Sequence, residues 1–152
     1  MVNSGFGSNS VSVIDTHSNI VVATVSVGNI PAGVAITPNG AFAYVANYSS
    51  NTLSVIDTAS NTVVATVPIG DGNNPLQVAI TPDGTSVYVT NESSNTVSVV
   101  STASNTVVAT VPVGISPFGV ASLPPLQPRG VQLSSSESPQ EFLTVIATRY
   151  FS

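Results

Sequence analysis

The phrase SNIVVATVSVG at residues 18–28 returns as SNTVVATVPIG at 60–70 and as SNTVVATVPVG at 104–114. A second phrase keeps step with it: VSVIDT at 11–16, LSVIDT at 53–58 and VSVVST at 97–102. The unit therefore recurs after 42 residues and then after 44. The two extra residues fall in GDGNNP at 70–75, where the first copy has GNIP. Propeller blades and arrays of helical repeats share periods of that length, so local chemistry decides between them.

That chemistry is β throughout. NTLSVID and NTVVATV are built from valine, isoleucine and threonine, whose branched side chains suit a pleated, half-buried surface. Turn formers separate these strand-length runs. TPNG at 37–40 and TPDG at 81–84 each place a proline before Asn-Gly or Asp-Gly, a hairpin signal because glycine accepts a positive φ. DTHSN, DTASN and STASN supply a second turn, and NYSSN (47–51) and NESSN (91–95) a third. No helical periodicity of useful length interrupts them. Four short strands in about 42 residues describe one propeller blade.

These phrases, with AFAYVAN at 41–47 and SVYVTN at 86–91, resemble the YVTN β-propeller repeat over roughly residues 9–122. That family is common in surface-layer and secreted proteins of archaea and bacteria. The resemblance implies innermost strands near 33–37, 77–81 and 118–122, whose GVAI and QVAI cores have the small residues needed around a central channel. The expected fold is all-β: propeller blades of four antiparallel strands, about two and a half to three of them, forming an incomplete ring within one chain. Val2 and Asn3 match the end of a second strand, two whole blades follow, and the repeat breaks off after one further inner strand.

Residues 1–122 are thus read as propeller repeats and 123–152 as a non-repeat tail, rich in Pro and Ser, with a possible strand near 142–147 (FLTVIA). Propellers close with about four to eight blades. An arc of two or three leaves uncharged strand edges open to pairing with another chain. Three explanations stand side by side: a fragment or frame-disrupted piece of a larger propeller, a short form that assembles, or an arc capped by its own tail. In the second, the tail strand completes a blade shared between copies, and two copies make six blades. Self-association through the open edges is the expected partnership, with other surface proteins or glycans as further candidates.

Charge narrows the partners. Only 6% of residues are charged, lysine is absent, and the two arginines, Arg129 and Arg149, lie near the C-terminus. Such a surface lacks the cations that neutralise phosphate, which argues against nucleic acid and against anionic membranes. No apolar run approaches the roughly 18 residues of a bilayer span, so no membrane insertion is expected. The N-terminus lacks the basic start and apolar core of a signal peptide. An extracellular or cell-surface location follows from the resemblance alone. Cysteine is absent, which removes thiolate nucleophiles and Cys-ligated metals.

Residues that return in every blade are explained by blade structure; a site depends on departures from the repeat. Asp15 and Asp57 close the third strand of their units and suit Asx turns rather than acid–base work. Tyr44 and Tyr88 fit half-buried packing. His17, the lone histidine, stands where the other units have Ala59 and Ala103. Neither a G-x-S-x-G elbow nor a phosphate loop nor H-E-x-x-H occurs. The expectation is therefore no catalytic residue, no cofactor and no established metal site. Asp71, Asn73 and Asn74 of the expanded loop are weak candidates for calcium, which wants six to eight oxygens. SGFGS (4–8), with Phe6 at its tip, is a second expansion. Asn47 and Asn91 begin Asn-x-Ser sequences and are candidate glycosylation sites.

By analogy with the family, the expected function is a non-enzymatic scaffold or binding module at the cell surface. The alternative is a segment of a propeller enzyme, lactonase-like or quinone-dependent dehydrogenase-like, whose reacting groups lie in other blades.

Overall fold

Strand formation follows the repeat. The computed structural model describes residues 1–4, 7–70, 72–123 and 144–148. Thirteen strands are found there and no helix: β1 (Val2–Asn3), β2 (Ser10–Asp15), β3 (Ile20–Ser26), β4 (Pro31–Ile36), β5 (Phe42–Asn47), β6 (Thr52–Asp57), β7 (Thr62–Pro68), β8 (Pro75–Ile80), β9 (Ser86–Asn91), β10 (Thr96–Ser101), β11 (Thr106–Pro112), β12 (Pro117–Ser122) and β13 (Thr144–Thr148). They assemble into two complete antiparallel sheets, β4-β5-β6-β7 and β8-β9-β10-β11. A partial sheet flanks each end, β1-β2-β3 on one side and β12-β13 on the other. The architecture is an open, unclosed piece of a propeller. The innermost strands start at their prolines, about two residues earlier than the phrases suggest for the first two. A proline supplies no ladder hydrogen bond and suits the first position of a strand.

Turn chemistry fixes the hairpins. Asn19, Asn61 and Asn105 adopt φ of 57°, 54° and 51° at the tips of the outer hairpins, and Gly40 and Gly84 adopt φ of 74° and 73° after Pro-Asn and Pro-Asp. These are the residue types that tolerate the left-handed region. Each outer hairpin carries a bulge at the same place, between Val13 and Ile14, Val55 and Ile56, and Val99 and Val100.

Period two then splits each strand between its two neighbouring sheets. On β5, Tyr44 and Ala46 face the third sheet, where they join Leu53, Val55, Val67, Val78, Val87 and Val89 in one core. Ala43 and Val45 point the other way and pack with Ile56, Val11 and Val25 against the first sheet. The core is thus a set of layers between blades, and every blade needs a neighbour on both faces.

Candidate functional site

The innermost strands β4, β8 and β12 pack side by side and would wall the axis of a closed ring. Each begins Pro-x-x-Val-Ala, and each is bulged just after its proline. Bulges re-aim side chains and are over-represented next to active sites. The bulge in β8 is the wide one. Pairing passes from Pro75↔Asn91 directly to Val78↔Val89, leaving Leu76 and Gln77 outside the ladder. Gln77 N–H donates instead to the Thr90 hydroxyl at 3.0 Å.

Gln77 stands where β4 has Gly33 and β12 has Gly119, and Thr90 stands where β5 has Ala46. The two departures are coupled. A Cβ on Gly33 would lie 2.5 Å from the Leu76 carbonyl and 2.9 Å from Gln77 Cα, so the glycine lets two inner strands touch backbone to backbone. Glutamine at the equivalent place cannot lie flat, and the hydroxyl of Thr90 takes over the displaced N–H. Gln77 is half-exposed on this innermost strand. Ser122 at the end of β12 donates to the Ile80 carbonyl at 2.6 Å, tying the next inner strand to β8.

A second, polar cavity of about 290 Å³ lies between the complete blades, lined in part by Asn39, Tyr44, Asp83 and Asn105. Tyr44, buried to 1% exposure, donates its hydroxyl to Asn105 Oδ1 at 2.9 Å, and burial pushes its phenol pKa up. Asp83 accepts from the Thr81 hydroxyl at 2.5 Å and from the N–H and hydroxyl of Thr85. These bonds, the Thr81 hydroxyl first, hold its carboxyl below the usual range. Asn39 plays the same part in the preceding blade, accepting from Thr37 at 2.7 Å and from Ala41 N–H.

Asp15 and Asp57 are likewise held down, chiefly by the backbone N–H groups of Ser18 and Ser60 that they accept from in Asx turns. A carboxyl whose folded pKa is depressed stabilises above its unfolded value, about 3.9, and that contribution is lost as pH falls through the folded value. The melting temperature is therefore expected to hold near neutrality and to drop in acid, below about pH 4. Asp83→Asn, which places the Asn39 chemistry in the next blade, should make that drop shallower. Melting curves across pH check it. The effect is small because Asp15 and Asp83 are exposed and Asp57 is only half-buried, so solvent screens all three carboxylates.

Local structure describes Asn73, Asn74 and His17 among the remaining candidates. Asp71 lies outside the described residues, as does Phe6. Asn73 donates from Nδ2 to the Ile69 carbonyl at 2.6 Å; Asn74 donates from its N–H to Asn51 Oδ1 and from Nδ2 to the Tyr48 carbonyl. These amides brace the loop against the second blade. Among the described residues no group of three or more His, Cys, Asp or Glu could hold a metal. His17 is exposed in its turn, where its backbone N–H donates to Asp15.

Asn47 and Asn91 correct the glycosylation expectation. Both are 0% exposed. Asn47 Nδ2 donates to the Thr52 and Ser54 hydroxyls, and Asn91 Nδ2 to those of Thr96 and Ser98. The nitrogen that would carry a glycan is turned into the blade and already bonded. Gly28 makes room for Asn47: a Cβ there would sit 2.7 Å from its Cγ.

Residues 6–110 match the family described as "Lactonase, 7-bladed beta-propeller". No curated protein matches the chain. Among solved structures, hydrazine synthase of Kuenenia stuttgartiensis is 30% identical, with a TM-score of 0.70, over 74% of this chain and 32% of that one. The dihydro-heme d1 dehydrogenase NirN, in complex with DHE, is 22% identical over 82% of this chain and 27% of its own, with a TM-score of 0.66. AztD of Citrobacter koseri is 15% identical over 95% and 34%, with a TM-score of 0.62. The chain spans about a third of the length of these structures or less, and the last two show the fold alone. The family match overturns the expectation of a non-enzymatic scaffold. An inner wall without charged side chains describes these blades only, and says nothing of groups that other residues bring to the channel. The likeness to YVTN phrases remains a resemblance within a broader assignment: the chain belongs to the seven-bladed β-propeller lactonase family.

Proposed function

We propose that these blades form part of a lactone-hydrolysing propeller, with β4, β8 and β12 walling the channel in which the lactone binds. The match of residues 6–110 to the lactonase family carries this reading. Hydrolysis adds water to the lactone carbonyl carbon and breaks the ring C–O bond, releasing a hydroxy acid. It needs a base to take a proton from water and donors to stabilise the developing oxyanion.

The three inner strands supply Gln77 and Ser122 but no carboxylate, imidazole or ammonium. Ser122 is committed to Ile80, so Gln77 is the polar group free to orient a lactone oxygen. The base lies outside these strands. Arg129, Glu137, Glu141 and Arg149 lie outside the described residues.

The test is titration of acid released from five- and six-membered lactones, with an acyclic ester as control. Saturable lactone opening with slow ester hydrolysis is expected. Gln77→Ala should raise KM about five- to tenfold with a smaller change in kcat, the signature of a lost neutral hydrogen bond in binding. A folded protein that holds these blades within a closed ring but opens no lactone above the water rate would overturn the proposal.

A further inference from the structure

The polar cavity between the two complete blades includes a place where their matching hairpins differ. Residues 37–40 and 81–84 make the same turn, with Asn39 in the first and Asp83 in the second, and both side chains line the cavity. Each spends one side-chain oxygen on its own hairpin. Asn39 Oδ1 accepts from the Thr37 hydroxyl and Ala41 N–H, and Asp83 Oδ1 from the Thr81 hydroxyl and from Thr85. What each has left is opposite in kind. Asn39 keeps Nδ2, a donor, and Asp83 keeps Oδ2, a charged acceptor, neither with a partner among the described residues.

Tyr44 and Asn105 add the same pair of functions. Tyr44 gives its hydroxyl proton to Asn105 Oδ1 at 2.9 Å. That bond orients the amide, so Asn105 offers Nδ2 as a second donor, and the Tyr44 oxygen keeps lone pairs as a second acceptor. Phe42, 36% exposed, and Pro38 supply apolar surface beside these groups. Donors, acceptors and an aromatic ring thus share about 290 Å³. Ligand pockets run from about 300 Å³ upwards, so the space suits a molecule of one ring.

These contents select among ligands. An anion would meet Asp83, and no lysine, arginine or histidine lines the cavity. A cation would find the carboxylate but also two amide N–H groups. A hydroxyl both donates and accepts, so adjacent hydroxyls on a ring answer both kinds of group at once. A hydroxyl donated to Asp83 makes a charge-assisted bond, roughly twice as strong as a neutral one. The C–H face of the same ring covers Phe42. We infer that this cavity binds a neutral ring carrying adjacent hydroxyls, a cyclic polyol or a pyranose, with Asp83 as its principal acceptor.

The site is separate from the channel wall at Gln77. Its hairpins lie where the inner strands end, whereas Gln77 is the third residue of β8. Four residues of extended chain, about 13 Å, separate Gln77 from Thr81. Both walls of the cavity belong to complete blades. This inference does not rest on the lactonase reading.

Ligand-observed NMR titration of the folded protein tests it, with D-glucose, myo-inositol, cyclohexanol and cyclohexylamine as probes. Saturable binding of at least one of the two polyols is expected, with a Kd in the millimolar range that so small a ligand allows. Which of the two binds tells a pyranose from a carbocyclic polyol, and either result supports the inference. Cyclohexanol, a ring with one hydroxyl, should bind at least about tenfold more weakly. Asp83→Asn keeps the turn, as Asn39 does in the preceding blade, but converts the free acceptor into a donor. It should weaken polyol binding at least about tenfold, and Tyr44→Phe about two- to tenfold. Asp57→Asn, the same change in an Asx turn away from the cavity, should leave the Kd unchanged. No saturation by either polyol overturns the inference. So does cyclohexylamine binding more tightly than both, or polyol binding indifferent to Asp83→Asn.

Discussion

Leu53→Ala is expected to lower the unfolding free energy by about 2–5 kcal/mol, measured by urea denaturation at neutral pH. Leu53 is 0% exposed on β6, and its side chain lies in the core between the two complete blades with Tyr44, Val55 and Val67 of its own sheet and Val87 and Val89 of the next. Truncation removes the transfer energy of the lost carbons and leaves a cavity between two stiff sheets that cannot easily collapse. A small domain has only about 5–15 kcal/mol in total, so the variant should sit close to unfolding at modest temperature. Val64→Ala supplies the comparison. Val64 is 55% exposed on the outermost strand, and its loss should cost within about 0.5 kcal/mol. Equal costs at the two positions would mean that the layer between blades is not where the stability lies.

Gly33→Ala comes next in size, and it acts on the channel. The added methyl would meet the Leu76 carbonyl at 2.5 Å, Gln77 Cα at 2.9 Å and Val78 N at 3.2 Å, all backbone atoms that no rotamer change can move. The inner strands must separate by several tenths of an ångström, prising the blades apart at their narrowest point. A cost of about 1–3 kcal/mol is expected, as for other overpacked sites. Activity should fall more than stability accounts for, because the bulge that carries Gln77 moves with β8. A stable, fully active Gly33→Ala protein would show that β4 and β8 do not touch there.

Much of the fold is legible in the sequence because the blade is a local object. Hairpins are closed by Pro-Asn-Gly, Pro-Asp-Gly and Ser-Asn at fixed places, and the strands between them follow from β-branched residues. Contacts between blades are not local. The Tyr44–Asn105 bond joins residues 61 apart, and the Tyr48–Glu92 bond, at 2.9 Å, joins residues 44 apart. Repetition makes Tyr44, with Tyr88 at the same place in the next blade, look like ordinary packing.

Asn47 and Asn91 mislead for a related reason. Asn-x-Ser at a turn reads as an exposed acceptor, yet each asparagine ends its strand on the face where Ser54 or Ser98 waits with a hydroxyl. The coupled change of Gly33 and Ala46 to Gln77 and Thr90 was visible in the alignment of the repeats, but its meaning required the bulge. Function was the least legible part. The residues of these blades build walls, and an uncharged wall looks the same in a scaffold and in an enzyme.

The account turns on one contrast, that β8 is finished on both faces and β4 only on one. Amide hydrogen exchange followed by mass spectrometry compares the two strands within a single sample. Peptides covering Pro31–Ile36, where Val34 and Ile36 are 38% and 61% exposed, are expected to exchange much faster than those covering Pro75–Ile80, where Val78 and Ile80 are 7% and 8% exposed. Equal protection of the two strands in the isolated chain would contradict the account, because something within the chain would then already cover β4.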